Sequence, residues 1–580
     1  IEHCDRWPGA GWFEGAKLNY AENLLRHDDE RPALISYFET GERREISHAA
    51  LRARATALAG QLARLGIQSG DRVAGWLPNG IEAVIAMLAT AILGGVWSSC
   101  SPDFGANGAL DRFGQIEPKL LIACDGYHYN GKTFDIRAKV AEVAAQTPSI
   151  ERIIWVSMLD LPIEGGKDRN LAFAALLDGP QAPFVQLDFN HPLCILYSSG
   201  TTGKPKCIVH GAGGTLLQHA KEHQLHTGLG PSDTLFFFTT CGWMMWNWLV
   251  GALATGCTLL LYDGSPFHPN PATLWRIAER EGVTVFGASP TYLGAVAKAG
   301  VKPGTGHDLS ALRMLLSTGS TLSAEGFEAV HHSIKNDLHL VSMTGGTDLI
   351  SCFILGNPNQ AVHAGELQCK GLGMAVDIYG DDGKPLPPGN GQKGELVCTH
   401  PFPSCPLGFW KDADGSRFHD AYFAKFPGVW AHGDFAEATA NGGFIIHGRS
   451  DAVLNPGGVR IGTAEIYRQV ERIDGIRDAV CVGQEWAGDT RIVLFVALQP
   501  GVDLDANLID RIKDQIRTHA SPRHVPRKVI AVADVPRTRS GKIAELAVRD
   551  VIHGRSVKNT AALANPEALE GFPSIAELSA

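Results

Sequence analysis

Short apolar runs alternate with helix-like segments along most of the chain. Residues 72–77, 193–196 and 258–262 are short and largely apolar, which is typical of buried strands. Residues 47–65 and 81–93 instead carry alanine, leucine and isoleucine at helical spacing. Because strands that alternate with helices pack as a parallel sheet covered by helices, this pattern predicts an α/β fold.

The alternation continues toward the middle of the chain and then changes. Further strands are predicted at residues 234–240, 283–288, 313–317 and 338–342. From about Gly365, short strands and Gly/Pro turns predominate, including residues 381–383 and 387–391. We therefore predict a small β-rich subdomain after the α/β region.

A separate α+β pattern follows residue 450. It has a predicted helix at residues 506–519 and predicted strands at residues 479–482, 491–497 and 528–533. Because 580 residues exceed a single ordinary core, more than one domain is expected. We predict a large N-terminal domain over residues 1–450, a smaller C-terminal domain over 451–560 and a C-terminal tail over 561–580.

Composition narrows the functional class. A net charge of −10 with interspersed signs argues against nucleic acid as the main partner, since such proteins need a basic face. The twelve cysteines form no C-x-x-C pair and no secretory signal is seen, which favours the reducing cytoplasm. The histidines form no H-E-x-x-H pattern, so solvated side chains are the simpler interpretation. The chain begins at Ile1 rather than methionine, which is consistent with a preceding N-terminal segment.

One uncharged stretch, residues 242–262, is long enough to suggest a membrane span. Gly256 and the strand-like residues after it break the stretch. We therefore predict two shorter buried elements and no membrane span.

Residues 197–206, YSSGTTGKPK, follow the predicted strand at 193–196. Hydroxyl side chains, glycines and lysines at a strand end suit a loop that binds phosphate. The loop is not a Walker A motif, because only two residues separate Gly200 from Gly203 and Pro205 follows Lys204. A Ser/Gly/Thr-rich surface turn is the alternative.

The decapeptide resembles the phosphate loop of the adenylate-forming superfamily, which includes acyl-CoA synthetases, luciferases and peptide-synthetase adenylation domains. The resemblance continues through residues 317–322, 344–348, 431–437, 448–466 and 536–542. It implies an ATP site formed by residues of these segments: Ser198, Ser199, Gly200, Thr201, Thr202, Gly203, Lys204, Lys206, Gly319, Ser320, Thr321, Thr344, Gly345, Gly346, Thr347, Asp434, Arg449 and Arg460.

The resemblance also implies specific roles. Asp434 would accept the ribose hydroxyls and Arg449 would contact ribose or phosphate oxygens. Lys542 would stabilise the α-phosphate during attack by a carboxylate. Asp451 would be the hinge of a mobile C-terminal domain. Taken alone, each arginine could form a surface salt bridge and residues 536–542 could be an exposed basic loop.

A magnesium ion is implied by the same resemblance. Asp348 stands where the family has glutamate and can supply an oxygen ligand, together with Thr202. Asp348 and Thr202 are therefore predicted to act in catalysis beside Lys542. A Gly-Gly turn capped by Asp348 is the structural alternative.

Within the superfamily, the chain is most similar to the acetate and acetoacetate branch of short-chain acyl-CoA synthetases, through residues 242–243 and 461–466. Gly345 stands where acetate enzymes have a tryptophan, which favours a longer acid. The form of residues 342–348 and the tail segments 558–560 and 565–570 resemble the acetoacetate enzymes in particular, so acetoacetate is the expected acid. The predicted acyl pocket contains Trp243, Met244, Met245, Asn247, Thr318 and Gly345; Trp243 and Asn247 are the candidate donors to the 3-keto oxygen.

Coenzyme A is the expected acceptor, and the residues predicted to bind it are Lys132, Gly457, Gly458, Lys513 and Arg517. The implied reaction forms an acyl-AMP and pyrophosphate from ATP, then a thioester and AMP. Other short-chain acids (propionate, butyrate or a hydroxy acid) remain alternatives. An adenylation module serving a carrier protein is disfavoured, because no carrier-like sequence follows in the chain. A nucleotide sensor would not need Lys542. The oligomeric state stays open.

Overall fold

A computed structural model gives the fold of the chain. The residues it describes are 1–3, 7–166, 168–197, 205–454, 456, 461–486, 489–520, 522–539, 541–557, 560–572 and 575–579.

The first large sheet of the N-terminal region is mostly parallel. Its strands, in spatial order, are Asn170–Ala172, Arg152–Val156, Leu120–Cys124, Arg72–Trp76, Val96–Cys100, Pro192–Tyr197, Cys207–Gly211 and Gly408–Phe409. Only the last two strands pair antiparallel to their neighbours. The strand Pro192–Tyr197 leads directly into the predicted phosphate loop.

The second large sheet has a parallel body with one antiparallel edge strand. Its strands, in spatial order, are His339–Ser342, Met314–Ser317, Val285–Ala288, Thr234–Phe237, Thr258–Asp263, Pro32–Phe38 and Arg43–Ser47. The segments 318–321 and 344–348 follow the carboxyl ends of two adjacent strands of this sheet, where open α/β folds bind ligands.

The helix Ile81–Ile92 lies between the two sheets. It contacts strands of both, and all its residues except Glu82 are buried. A helix that is apolar on every side has to be enclosed in this way. The central core of the protein therefore surrounds this helix.

Smaller antiparallel sheets follow. Thr344–Gly346, Ser351–Leu355 and Cys369–Lys370 form one. Val376–Tyr379, Gly394–Cys398, Trp430–Ala438 and Phe444–Arg449 form the β-rich subdomain. Two short pairs join Lys17–Leu18 to Leu187–Asp188 and Gly126–Tyr129 to Lys132–Asp135.

The C-terminal domain has its own sheet, Ile476–Trp486, Asp489–Leu498 and Lys528–Val532. The helices Thr463–Val470 and Ala506–His519 pack on one side of its apolar core. On the other side lie Glu545–Ile552 and the tail, whose Leu563, Leu569 and Phe572 are buried. The described part of the predicted tail is thus an integral part of the domain's packing.

The remaining helices cover the sheets and connect their strands. They are Tyr20–Leu24, His48–Arg64, Ala106–Ile116, Arg137–Gln146, Ala212–Lys221, Met244–Gly251, Thr273–Arg280, Pro290–Lys298, Pro303–Gly306, Ala324–Ser333 and Ser416–Tyr422, with a π-helical turn at Glu222–His226.

The uncharged stretch at residues 242–262 divides as predicted. It forms the helix Met244–Gly251, a 3₁₀ turn and the strand Thr258–Asp263, separated at Gly256, whose φ of 77° suits glycine. In the part of the chain that the structure describes, no helix combines the length and apolar character needed to cross a membrane.

Candidate active site

Asp348 lies in a 3₁₀ turn directly after the strand Thr344–Gly346. Its Oδ1 accepts a hydrogen bond of 2.5 Å from the hydroxyl of Tyr422. Burial favours the neutral carboxyl, but His432, the Tyr422 hydrogen bond, Lys206 and Arg449 outweigh it and lower the pKa of Asp348. The carboxylate is therefore charged at neutral pH and suited to binding a cation.

Asp434 and Arg449 lie opposite each other on adjacent strands of the β-rich subdomain. Arg449 Nη1 donates to Asp434 Oδ1 at 3.1 Å and to the carbonyl oxygen of His432 at 3.3 Å. Gly433 makes this approach possible, because its φ is 84° and a Cβ there would lie 2.5 Å from Arg449 Nη2. Burial lowers the pKa of Arg449, whereas Asp434, Asp451 and Asp348 raise it by a larger amount.

Lys542 comes from the C-terminal domain and lies within electrostatic range of Arg449, Asp434 and Asp348; we call the space among these four residues the cleft. Burial lowers its pKa, and Arg449 lowers it further, while Asp434 and Asp348 act in the opposite direction. The lysine is therefore close enough to interact electrostatically with residues that are more than 90 positions away in the sequence. The Lys542 residue as a whole is exposed and the Arg449 side chain is 50% exposed, so the surrounding protein removes only part of the water from the two charged groups.

The backbone that leads to Lys542 forms a turn closed by hydrogen bonds. The Thr538 N–H donates to the Lys542 carbonyl at 2.7 Å, and the Lys542 N–H donates to Thr538 Oγ1 at 3.1 Å. Gly541 has a φ of 82° and donates to the Thr538 carbonyl. The described residues of this basic segment thus hold the backbone of the lysine in a hydrogen-bonded turn.

The segment predicted to bind adenine follows the strand Met314–Ser317. Gly319 has a φ of 100°, and a Cβ there would lie 3.6 Å from the ring of Trp243. Thr321 Oγ1 donates to the carbonyl of Ile446 at 3.4 Å, and Ser320 is exposed. Thr318 Oγ1 donates to the Met343 carbonyl at 2.8 Å, so its hydroxyl joins the ends of two neighbouring strands.

The predicted acyl-pocket residues cluster around one helix. Met244 and Met245 are buried at its start, and Trp243 packs edge-on against Phe237. Asn247 is 1% exposed, and neither its amide nitrogen nor its amide oxygen has a hydrogen-bond partner among the described residues. Asn247 is one helical turn from Trp243 and on the same face. Leaving a buried amide without a partner is costly, and a water molecule or a polar ligand can supply the missing hydrogen bonds.

Gly345 is in the hairpin beside this helix, but its geometry differs from the sequence argument. A Cβ at Gly345 would lie 2.1 Å from the Ser351 carbonyl oxygen and 2.5 Å from Cys352 Cα. Glycine is thus required for the two strands to approach each other. A side chain at position 345 would point toward the partner strand. On this backbone, the absence of an indole at position 345 therefore does not by itself enlarge the acyl pocket.

Candidate coenzyme A residues lie on both domains. Lys132 is exposed on the hairpin Gly126–Tyr129 and Lys132–Asp135. Lys513 and Arg517 are one turn apart on the helix Ala506–His519, and Arg517 pairs with Asp514. Asp451, the predicted hinge, lies between the β-rich subdomain and the C-terminal domain, and its carbonyl accepts from Arg549 Nη1 at 3.1 Å.

Several predicted site residues lie outside the described part of the chain: Ser198, Ser199, Gly200, Thr201, Thr202, Gly203, Lys204, Gly457, Gly458 and Arg460. Of the predicted phosphate loop, Tyr197 and residues 205–206 are described. The ammonium group of Lys206 lies 5.5 Å from the ring centroids of both Tyr422 and Phe409. Lys206 therefore stands on the Asp348 side of the cleft.

Comparison with known proteins agrees with this arrangement. The family model "AMP-binding enzyme" matches residues 21–404, and "AMP-binding enzyme C-terminal domain" matches residues 468–542. The acetoacetyl-coenzyme A synthetase of Rhizobium meliloti (strain 1021) is 56% identical, over 99% of this chain and 88% of that protein. The acetoacetyl-CoA synthetase of Mus musculus is 45% identical, over 98% of this chain and 86% of that protein.

A solved structure of acetoacetyl-CoA synthetase from Streptomyces lividans superposes with a TM-score of 0.93 at 45% identity, over 99% of this chain and 89% of that one. The chain belongs to the AMP-binding enzyme family, among its acetoacetyl-CoA synthetases.

Two residues of the candidate site, Tyr422 and His432, were not predicted from the sequence. Tyr422 has no neighbouring motif, and only its contact with Asp348 reveals it. His432 lies in a recognised segment, next but one to Asp434; its Nε2 is 3.1 Å from the Gly345 carbonyl oxygen and 3.7 Å from Asp434 Oδ2. His432 thus connects the hairpin that precedes Asp348 to the carboxylate of Asp434. Its position in the motif was the only available signal.

Proposed function

We propose that this protein ligates acetoacetate to coenzyme A with ATP, through an acyl-AMP intermediate, and releases AMP and pyrophosphate. The observation that carries the proposal is the hydrogen bond of 3.1 Å between Arg449 and Asp434, with the Asp348 carboxylate and Lys542 of the C-terminal domain within electrostatic range of that arginine. A lysine near two aspartates and an arginine suits a reaction in which the carboxylate of the acid attacks the α-phosphate of ATP. The acetoacetyl-CoA synthetases that the chain resembles favour the acid and the acceptor.

In the first half-reaction, a carboxylate oxygen of the acid attacks the α-phosphorus of ATP and pyrophosphate leaves. Lys542 stabilises the negative charge on the α-phosphate oxygens. Asp434 accepts the ribose hydroxyls, and Arg449 is held by Asp434 to face ribose or phosphate oxygens. Lys206 and the loop that precedes it hold the β- and γ-phosphates, while residues 319–321 and 344–347 border the adenine and ribose.

A magnesium ion fits this site through Asp348. Among the described side chains, no group of three or more His, Cys, Asp or Glu is arranged to hold a metal. A single ionised carboxylate is nevertheless what Mg²⁺ uses when phosphates and waters complete its shell. Asp348, with Thr202 as the second protein ligand, would hold the ion, which would neutralise the charge of the polyphosphate.

The acid binds beside the helix Met244–Gly251. The unpartnered amide of Asn247 supplies a donor for the 3-keto oxygen, and Trp243, Met244 and Met245 enclose the carbon chain. Thr318 contributes packing, because its hydroxyl is already bonded to Met343. Gly345 keeps the adjoining hairpin close without adding a side chain to the pocket.

In the second half-reaction, the thiol sulfur of coenzyme A attacks the acyl carbon, its proton is released and AMP leaves. Lys132 on one domain and Lys513 and Arg517 on the other are candidate contacts for its phosphates. Gly457 and Gly458 are candidates for the passage of the pantetheine arm. Asp451 is the proposed hinge about which the C-terminal domain moves between the two steps. The described cysteines are free thiols, which supports a reducing compartment such as the cytoplasm.

The proposal is tested by measuring AMP release with acetoacetate, acetate, propionate, butyrate and 3-hydroxybutyrate, each with and without coenzyme A. We expect acetoacetate to give the highest kcat/KM and AMP release to require coenzyme A. Strong turnover of acetate with none of acetoacetate would refute the choice of acid. Release that needs no coenzyme A would refute the choice of acceptor.

A further inference from the structure

Arg539, three residues before Lys542, reaches from the C-terminal domain to the N-terminal domain. Its Nη1 donates to the backbone carbonyl of Asp103 at 2.8 Å and to Asp103 Oδ2 at 2.9 Å. Its guanidinium carbon lies 4.5 Å from the ring centroid of Phe104. The arginine therefore contacts two consecutive residues of the other domain by charge, hydrogen bonding and stacking.

The residues that receive Arg539 are themselves held by further contacts. The Ser101 hydroxyl donates to the other carboxylate oxygen of Asp103, and Ser101 is buried. Phe104 is 4% exposed and also lies under the guanidinium of Arg112, at 4.3 Å. Arg112 in turn lies 5.5 Å from the ring centroid of Tyr197, the residue that precedes the phosphate loop. Arg539 thus docks next to the base of the ATP site.

Arg539 is coupled to Lys542 through the backbone. The turn between Thr538 and Lys542 is closed by the hydrogen bonds already described. On its other side, the Arg539 N–H donates to the Ala562 carbonyl at 3.0 Å, and Ala564 donates to the Arg537 carbonyl at 2.8 Å. Because the turn is braced on both sides, an anchor at Arg539 sets the position of Lys542.

We propose that Arg539 is a positioning residue for the first half-reaction, and that Asp103 and Phe104 form its docking site. The contact exists only while the C-terminal domain holds Lys542 in the cleft, and it has to break when the domain rotates for thioester formation. The inference rests on the proposed function. It adds a contact that favours one of the two arrangements of the domains without touching the reacting atoms.

The test compares the two half-reactions in Arg539→Gln and Asp103→Asn. Acetoacetate-dependent exchange of pyrophosphate into ATP reports the first, and thioester formation from supplied acyl-AMP and coenzyme A reports the second. We expect the exchange rate to fall about ten-fold, the scale of one charge-assisted hydrogen bond, in either variant. The thioester rate should stay within about two-fold of wild type, because it does not need the docked arrangement.

Three further variants sharpen the result. Arg539→Lys keeps the charge but loses the planar fork and its stacking, so an intermediate loss is expected. The exchanged pair Asp103→Arg with Arg539→Asp should recover part of the exchange rate. Arg555→Gln removes an arginine that pairs with Glu485 inside the C-terminal domain and should leave both rates unchanged.

An equal fall in both half-reactions, or no fall in the exchange rate, would overturn the proposal. Thermal unfolding of each variant distinguishes a folding defect, which lowers both rates, from the selective loss. If wild-type protein fails to exchange pyrophosphate with acetoacetate but does so with another acid, the proposed substrate is wrong. The Arg539 comparison then proceeds with that acid.

Discussion

The hydroxyl of Tyr422 is hydrogen-bonded to the carboxylate of Asp348 across 74 residues of sequence, at 2.5 Å. The tyrosine ring also stacks on Trp430, with centroids 3.8 Å apart, and lies beside the ammonium group of Lys206. Through one side chain, the carboxylate proposed to bind magnesium is joined to the end of the phosphate loop and to the β-rich subdomain that carries Asp434. The integrity of the cation site therefore depends on the packing of the β-rich subdomain.

Replacing Tyr422 by phenylalanine should impair the first half-reaction. Burial raises the pKa of Asp348, and the hydrogen bond from Tyr422 is one of the interactions that lower it. Without this donor the pKa of Asp348 rises and the charged carboxylate becomes less favourable. We expect pyrophosphate exchange to fall roughly ten-fold, from the loss of one hydrogen bond to a charged group, and its acidic limb to move to higher pH. Tyr379→Phe makes the same chemical change elsewhere in the subdomain and serves as the control. An unchanged pH profile in Tyr422→Phe would contradict the assignment.

Lys542→Ala should abolish the first half-reaction and spare the second. Removing a positive charge from the α-phosphate should lower acyl-AMP formation about a hundred- to a thousand-fold. Conversion of supplied acyl-AMP to thioester should continue, since the lysine leaves the cleft for that step. Lys528→Ala removes a lysine from a strand of the same domain for comparison. Equal losses in both half-reactions would mean that Lys542 has a different role.

Asn247→Leu should reduce the preference for acetoacetate over butyrate. The two acids differ at the 3-keto group, and the buried amide of Asn247 has no partner in the part of the chain that the structure describes. We expect the ratio of their kcat/KM values to fall about ten- to a hundred-fold, with little loss of thermal stability, because the substitution removes an unsatisfied buried amide. Met374→Leu, a change of similar volume at a buried methionine of another core cluster, should leave the ratio unchanged. A constant ratio in Asn247→Leu would place the 3-keto oxygen elsewhere.

Glu545→Gln should flatten the pH dependence of stability. Burial raises the pKa of Glu545 to about 7, with Asp451 adding to the rise, while hydrogen bonds from Thr463 and Tyr467 and the charge of Arg449 oppose it. The folded protein therefore binds a proton that the unfolded chain releases near pH 4.5. The wild-type unfolding free energy should then fall by up to about 1.4 kcal/mol per pH unit from this residue between about pH 4.5 and 7, and its contribution should level off above pH 7, where both states are ionised.

Urea unfolding between about pH 4 and 8 measures this effect. The difference between Glu545→Gln and wild type should grow in favour of the variant as pH rises from about 4.5 to 7 and should level off above that. Glu567→Gln, at an exposed glutamate, should follow the wild-type curve. Parallel curves for all three proteins would show that Glu545 is already ionised at neutral pH.

The local pattern of the chain predicted most elements of the fold. The strand expected at residues 258–262 is Thr258–Asp263, and the helix expected at residues 506–519 is Ala506–His519. The strand expected at residues 234–240 ends earlier, at Phe237, because the chain leaves the sheet there and turns toward Trp243. Periodicity reports which residues face a core, but the position where a strand stops depends on its neighbours.

The sequence by itself determined the order of the motifs and thus the residue types available for chemistry. These are Asp434 as an acidic partner for the ribose, Arg449 fifteen positions later and Lys542 in the last motif. These follow from short segments, since their spacing along the chain is a local property. Only the tertiary structure decided which of them meet. Tyr422 and Arg539 became visible only because folding brings distant residues within hydrogen-bonding distance of Asp348 and Asp103. Gly345 received a new explanation for the same reason: its role depends on the backbone of Ser351 and Cys352, and no property of the residue alone reveals how close that strand lies.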